Sequence, residues 1–195
     1  MKTSPLSAAC RVALLTLLPI LYAAPALAES AVYELDPEHS AVHFEVLHFG
    51  TSTLRGRFGL LEGAVTLDRA ARRGDVRMRV STTSVSTGMA FFDARLRRDD
   101  LLASTEFPEA YFVASRFTFE GAKLTEVRGE FTLRGISQPL SLRAERFSCR
   151  RHDVTEICGG DFQADILRSE FGATFGLPFV GDRVRLKVQV EGRRR

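Results

Sequence analysis

Val184-Arg185-Leu186-Lys187-Val188-Gln189-Val190 alternates apolar and polar residues over seven positions. In an extended chain successive side chains point to opposite faces, so this run presents a Val/Leu face to an interior and a charged face to water. The same two-residue period returns upstream. Val42-x-Phe44-x-Val46, Val76-x-Met78-x-Val80, Val127-x-Gly129-x-Phe131-x-Leu133 and Phe162-x-Ala164-x-Ile166 each leave the intervening positions to mostly polar residues. Turn chemistry is expected at Arg73-Gly74-Asp75, Glu120-Gly121-Ala122, Gly135 to Pro139, Gly159-Gly160 and Gly181-Asp182. Eight or nine strands at hairpin spacing predict an all-β fold, an antiparallel barrel or sandwich. One stretch breaks the period. Between Gly88 and Ser104, Phe92 and Leu96 stand four apart among charged residues, which predicts a short helix carrying Phe91 and Phe92 at its start.

Moving outward to the whole chain, 195 residues suit one domain, and the balance of 27 Lys and Arg against 24 Asp and Glu gives a net charge of only +3. Two of those cations, Lys2 and Arg11, precede the apolar run Val12–Tyr22 and the small-residue triplet Ala26-Leu27-Ala28. That layout predicts a secretory signal peptide over residues 1–28, too short and too interrupted by Pro19 to span a bilayer, and a mature domain over 29–195. The remainder is nearly neutral, so no basic face for nucleic acid is expected. Neither is stable membrane insertion. Export also predicts that Cys149 and Cys158, nine residues apart, form a disulfide. A metal site built from them and His152 lacks a convincing fourth ligand.

A closed sheet of eight strands encloses room either for side chains or for one small ligand. The inward-facing residues here are apolar, which suits a hydrocarbon chain. Almost none is an acid or a base, as proton-transfer chemistry would need. The expected wall comprises Phe44, Val46, Phe58, Val65, Met78, Val80, Phe112, Phe131, Leu133 and Phe162, with Phe91, Phe92 and Leu96 near the mouth. Arg168 is a candidate for a head group or a structural ion pair. His39, His43 and His48 do not have strand spacing that would let them share an ion. Asp36, His39 and Ser40 crowd a single strand-entry turn, where Asp36 and Ser40 are expected to bond backbone rather than to form a catalytic triad.

The stretch Tyr33-Glu34-Leu35-Asp36-Pro37-Glu38-His39-Ser40-Ala41-Val42-His43-Phe44 resembles the opening of the YceI-like family. His48-Phe49-Gly50, Gly56-Arg57-Phe58, Ser84 to Gly88, Phe107-Pro108, Gly129 to Gly135 and Arg168-Ser169-Glu170-Phe171-Gly172 resemble its later segments in order, from Tyr33 to about Val190. The resemblance implies an eight-stranded, lipocalin-like antiparallel barrel with one or two short helices, exported to the periplasm. It implies a polyisoprenoid or another amphiphilic lipid as ligand. With the apolar wall, the expectation is a long-tailed lipid (polyisoprenoid, quinone-like or fatty-acyl), and the residues predict no enzymatic activity, metal or other cofactor. Two positions depart from the family pattern: Asp99-Asp100 precede Leu101 where a His-Leu pair is usual, and Glu170 stands where Asp is usual. The alternatives are an interaction module whose barrel is filled by its own Phe residues and a hydrolase using the His39 region; a homodimer is left open as a further partner.

Overall fold

Closure of the sheet follows from one long strand that finds partners on both edges. A computed structural model describes residues 30–59 and 61–195; the expected signal peptide lies outside the described residues. The elements are β1 (Ala31–Leu35), β2 (Ala41–His48), β3 (Ser52–Phe58), β4 (Leu61–Asp68), β5 (Arg73–Ser81), β6 (Val85–Ser86), helix α1 (Ala90–Leu96), β7 (Glu109–Glu120), β8 (Lys123–Leu133), β9 (Ile136–His152), β10 (Thr155–Leu167) and β11 (Val180–Arg194). All pairings are antiparallel. Strand β11 lies against β10 on one side and, on the other, against β2 (Leu186 opposite Phe44) and then β1 (Arg194 opposite Tyr33).

The eleven segments amount to eight barrel strands. Strands β1 and β2 are one strand interrupted at Asp36–Ser40, β3 and β4 pair with them as a second, and β5 with β6 make a third, interrupted by a 3-10 turn at Thr82–Ser84. The first interruption is held by side chains. The Asp36 carboxylate accepts the Glu38 N–H (3.0 Å), and Ser40 Oγ donates to the Glu191 carbonyl (3.3 Å) and accepts the Glu191 N–H (3.1 Å). The break, exposed at Pro37–His39 and buried at Ser40, therefore leaves few orphaned groups where it meets the ladder. Full closure removes the exposed edges that an open sheet would present for aggregation.

Three expected turns sit elsewhere. Arg73-Gly74-Asp75 opens β5, and the reversal falls at 69–72 with Arg72 at φ 55°. Gly159 and Gly160 lie inside β10, where a Cβ on Gly160 would stand 2.3 Å from the Arg146 carbonyl. Those glycines serve close strand approach rather than a reversal. Gly181 and Asp182 lie in β11, at a register shift between Val180 and Val184. The reversal before β9 uses Arg134 (φ 54°) and Gly135 (φ 71°), the two positive φ values of a tight hairpin, so Pro139 is already in the strand. The expected helix is real but spans only Ala90–Leu96.

The connections sort to two ends. The β2–β3 turn, the α1 segment, the β8–β9 turn and the 168–179 segment share the upper end; the other turns and both described termini share the lower one. At the lower end Tyr33, Leu67 and the Cys149–Cys158 bridge pack with Phe117, Phe119 and Phe147. The two cysteines face each other directly across β9 and β10, as expected.

Candidate functional site

Inward residues of the upper half do not meet at the axis. They leave an apolar cavity of about 250 Å³, with Phe44, Val46, Phe58, Val80, Phe131 and Leu133 among its walls. Fully burying each such side chain stabilises the fold by about 1.5–3 kcal/mol, so the wall also holds the barrel together. Phe44 illustrates the packing: its ring tip lies 2.4 Å from where a Cβ on Gly56 would be, and its centroid is 5.6 Å from that of Phe58. Only glycine at 56 allows the ring to lie across β3. A second, smaller void of about 60 Å³ lies below. Met78, Phe112, Leu142 and Val188 line both, and so form a waist between the two.

Most of the expected wall is where the alternation puts it, with three corrections. Val65 and Phe162 line the lower void, because the strands carry them below the waist. Phe91 lines neither. Helix α1 turns Phe92 and Leu96, four residues apart, onto the cavity, and the rotation of about 100° per residue leaves Phe91 77% exposed. Sequence periodicity missed Leu54, which shares a face with Gly56 and Phe58, and missed Ala173, Phe175 and Val180, which lie in or beside an irregular segment with no period to read.

That irregular segment is built on Arg168. Its guanidinium, 7% exposed, donates to the carbonyls of Gly181 (2.9 Å), Ala173 (2.5 Å), Phe175 (2.9 Å) and Val180 (2.9 Å). Burial pulls its pKa below the ordinary arginine value, partly offset by Asp182. Arg168 borders the cavity, yet these donors are committed to backbone, so its clear role is to shape the upper wall. Phe171 inserts beside Phe131 at 5.4 Å, and Gly172 (φ 73°) ends the turn. Ser169 bonds Asp182 through both N–H (2.9 Å) and Oγ (2.7 Å).

Above the cavity the two irregular segments meet. The Arg95 guanidinium lies 3.5 Å over the Phe175 ring and pairs with both carboxylate oxygens of Asp100 at 2.6 Å. Arg97 donates to the carbonyls of Thr83 (2.9 Å) and Val85 (3.0 Å), and Arg134 to those of Asp99 (2.6 Å) and Leu101 (2.8 Å). Asp93 accepts the Thr87 N–H (2.6 Å) and hydroxyl (2.8 Å), and these bonds hold its carboxyl below the usual value. Among the described residues no Asp or Glu lines the cavity; its polar neighbours are His48, Arg79, Thr82, Arg95, Tyr111 and Arg168.

The histidines do not converge. His39 Nδ1 lies 3.0 Å from Asp36, whose carboxylate also takes Arg193 at 3.1 Å. Asp36, His39 and Glu191 come within 4.8 Å of one another, but among the described residues no such ligand group includes His43 or His48. His48 instead packs on Phe49 and Phe92, with centroids 4.6 and 6.4 Å apart. The other cluster, Cys149, Glu156 and Cys158, has its sulfurs joined in the disulfide, which leaves no thiolate to ligate a metal.

The YceI-like domain pattern matches residues 33–192, from the Tyr33 that bonds Glu156 to the Gly192 beside it in the sheet. The chain belongs to the YceI-like family. A UPF0312 protein of Shewanella denitrificans is 30% identical over 179 residues, covering 86% of this chain and 90% of that protein. The YceI protein of Salmonella arizonae is 32% identical over 170 residues, 85% of this chain and 88% of that one. That of Shigella flexneri is 36% identical over 121 residues, 60% of this chain and 63% of its own length. Among solved structures, BcnA of Burkholderia cenocepacia aligns with a TM-score of 0.68 at 21% identity over 80% of this chain and 98% of its own. A polyisoprenoid binding domain from Saccharophagus degradans aligns at 0.59 and 15% identity, over 85% and 99%. The eight-stranded antiparallel barrel with one short helix is thus the family's fold.

Proposed function

We propose that this YceI-like barrel is a binding protein that holds the apolar tail of an isoprenoid, quinone-like or fatty-acyl lipid, and that it does so in the periplasm. The observation that carries the reading is the upper cavity: about 250 Å³, walled mainly by aliphatic and aromatic side chains and, among the described residues, without a carboxylate. Moving a tail from water into such a wall is favourable by about 0.8 kcal/mol per methylene, and association and ordering costs take back a large share. The volume lies a little below the roughly 300–1,000 Å³ of ligand pockets, and the waist at Met78, Phe112, Leu142 and Val188 sets how deep a tail reaches. That a structural neighbour is described as a polyisoprenoid binding domain supports the ligand class. The leader-like residues 1–28 and the disulfide support export to an oxidising compartment.

The same residues favour binding over catalysis. The Ser40 hydroxyl exchanges both of its bonds with the Glu191 backbone and offers no proton to His39. A self-filled barrel is disfavoured by the cavity itself. Native mass spectrometry of protein purified from its periplasm tests the proposal: a co-purifying lipid is expected. Leu54→Trp, which puts an indole into the cavity from β3, should abolish that mass while leaving the circular dichroism spectrum unchanged. Recovery of empty wild-type protein that also fails to take up a polyene fatty acid would sink the reading.

A further inference from the structure

The exposed phenylalanines are concentrated around the mouth of the cavity. Phe49 is 59% exposed, Phe91 77%, Phe175 50% and Phe179 65%. They come from three separate upper connections, the β2–β3 turn, the start of α1 and the segment leading into β11. The opposite end has a single large apolar side chain in its described turns that is comparably exposed, Val154. Soluble proteins seldom leave such a cluster to water without a partner.

The rim is continuous with the cavity. Phe49 stacks on Phe179 at 6.0 Å, His48 bridges Phe49 to Phe92, and Phe92 lines the interior. Phe175 belongs to both, half exposed above and lining the cavity below. The tip is also held outward at a backbone cost. Phe49 adopts φ 50°, a left-handed conformation uncommon for a bulky residue. Turn residues of small polar type would take this position with less strain.

We propose that this rim is a docking collar for a phospholipid bilayer surface, seating Phe49, Phe91 and Phe179 among the acyl chains so that the cavity mouth opens onto hydrocarbon. The proposal rests on the lipid-tail reading for its purpose: a long apolar tail exchanges through a bilayer far more readily than through water. The charges at this end select the kind of surface. The upper connections 49–51, 87–108, 134–135 and 168–179 carry five arginines and five carboxylates, so the cap is neutral and the attraction is apolar rather than electrostatic. A second copy docked mouth to mouth would bury the same rings, but would close each cavity off from its supply of lipid.

Co-flotation of the purified protein with phosphatidylcholine vesicles, and with phosphatidylcholine mixed with phosphatidylglycerol, tests the collar. Binding to both to a similar extent, with little dependence on salt, is expected. The triple variant Phe49→Ser, Phe91→Ser, Phe179→Ser should lose about tenfold or more of that binding while taking up a polyene fatty acid in vesicle-free buffer as the wild type does. Equal flotation of wild type and variant, or none by the wild type, overturns the proposal and leaves tail binding standing if the polyene still binds. A wild-type dimer that the triple variant splits, without flotation, also overturns it and assigns the rings to a second copy. Flotation lost in the variant alongside a wild type that binds no polyene keeps the collar and removes the tail-binding reading.

Discussion

The two halves of this barrel are built from the same strands and the same alternation, yet one is stoppered and the other hollow. Below the waist, Tyr33, Leu67, Phe117, Phe119 and Phe147 converge on the Cys149–Cys158 bridge, leaving about 60 Å³. Above it the space grows to about 250 Å³, and the roof is made of irregular backbone tied down by arginine. The lesson is that inward apolar residues do not by themselves decide between core and cavity. What decides is how far the inward side chains fill each level, and at the lower end Phe117, Phe119 and Phe147 pack against Tyr33, Leu67 and Cys158.

The largest effects should separate the halves by stability. Phe162→Ala, in the packed half, is expected to cost about 3–5 kcal/mol in urea unfolding. Phe58→Ala, whose ring faces open volume, should cost less than half of that; equal costs would erase the distinction. Next comes the roof. Arg168→Met strands four carbonyls, and the loss should be about 3 kcal/mol, with Arg168→Lys failing to restore it because an ammonium cannot span the same fork. Opening the disulfide with Cys149→Ser and Cys158→Ser should cost about 2–3 kcal/mol and leave polyene uptake unchanged, since the bridge lies at the far end. A drop in uptake would show that the lower plug shapes the upper cavity.

A smaller effect should appear in ligand choice. Met78→Ala removes one side of the waist and joins the two voids, which should shift preference toward longer acyl chains by about 1 kcal/mol, roughly fivefold. The smallest concerns pH. The Asp93 carboxyl is held below its ordinary value by the Thr87 N–H and hydroxyl, so its contribution is complete above that ordinary value and is lost as pH falls through the lowered one. Protection against amide exchange across 87–104, relative to the intrinsic rate at each pH, should therefore fall on acidification below the usual carboxylate range. Asp93→Asn should exchange faster at neutral pH and lose that acid step.

The barrel strands were legible because half-burial imposes a period of two; β5 carries it throughout and β11 from Arg183 to Val190, while in β8 it slips between Leu124 and Val127. The turns were less so. Glycine marks close approach as readily as reversal, and Gly159 and Gly160 stand where β10 crowds its neighbours. The cavity wall was readable along regular strands, from Phe44 to Leu133, and unreadable at Phe175 and Ala173, whose backbone has no period. The motif residues that carried the family resemblance proved largely to be the frame. Asp36 and Ser40 hold a strand break, Arg168 and Phe171 hold the roof, and Phe49 stands at the rim.

From the amino-acid order alone came the all-β class, the faces of the strands, the pairing of Cys149 with Cys158 and the expectation of a leader, since each depends on local spacing or composition. Only the tertiary structure decided that Val65 and Phe162 sit below the waist, that Phe91 faces water, and that Arg168 spends its donors on backbone. Those outcomes depend on which staves meet across the barrel, a distance set by closure of the whole sheet and invisible in any one strand.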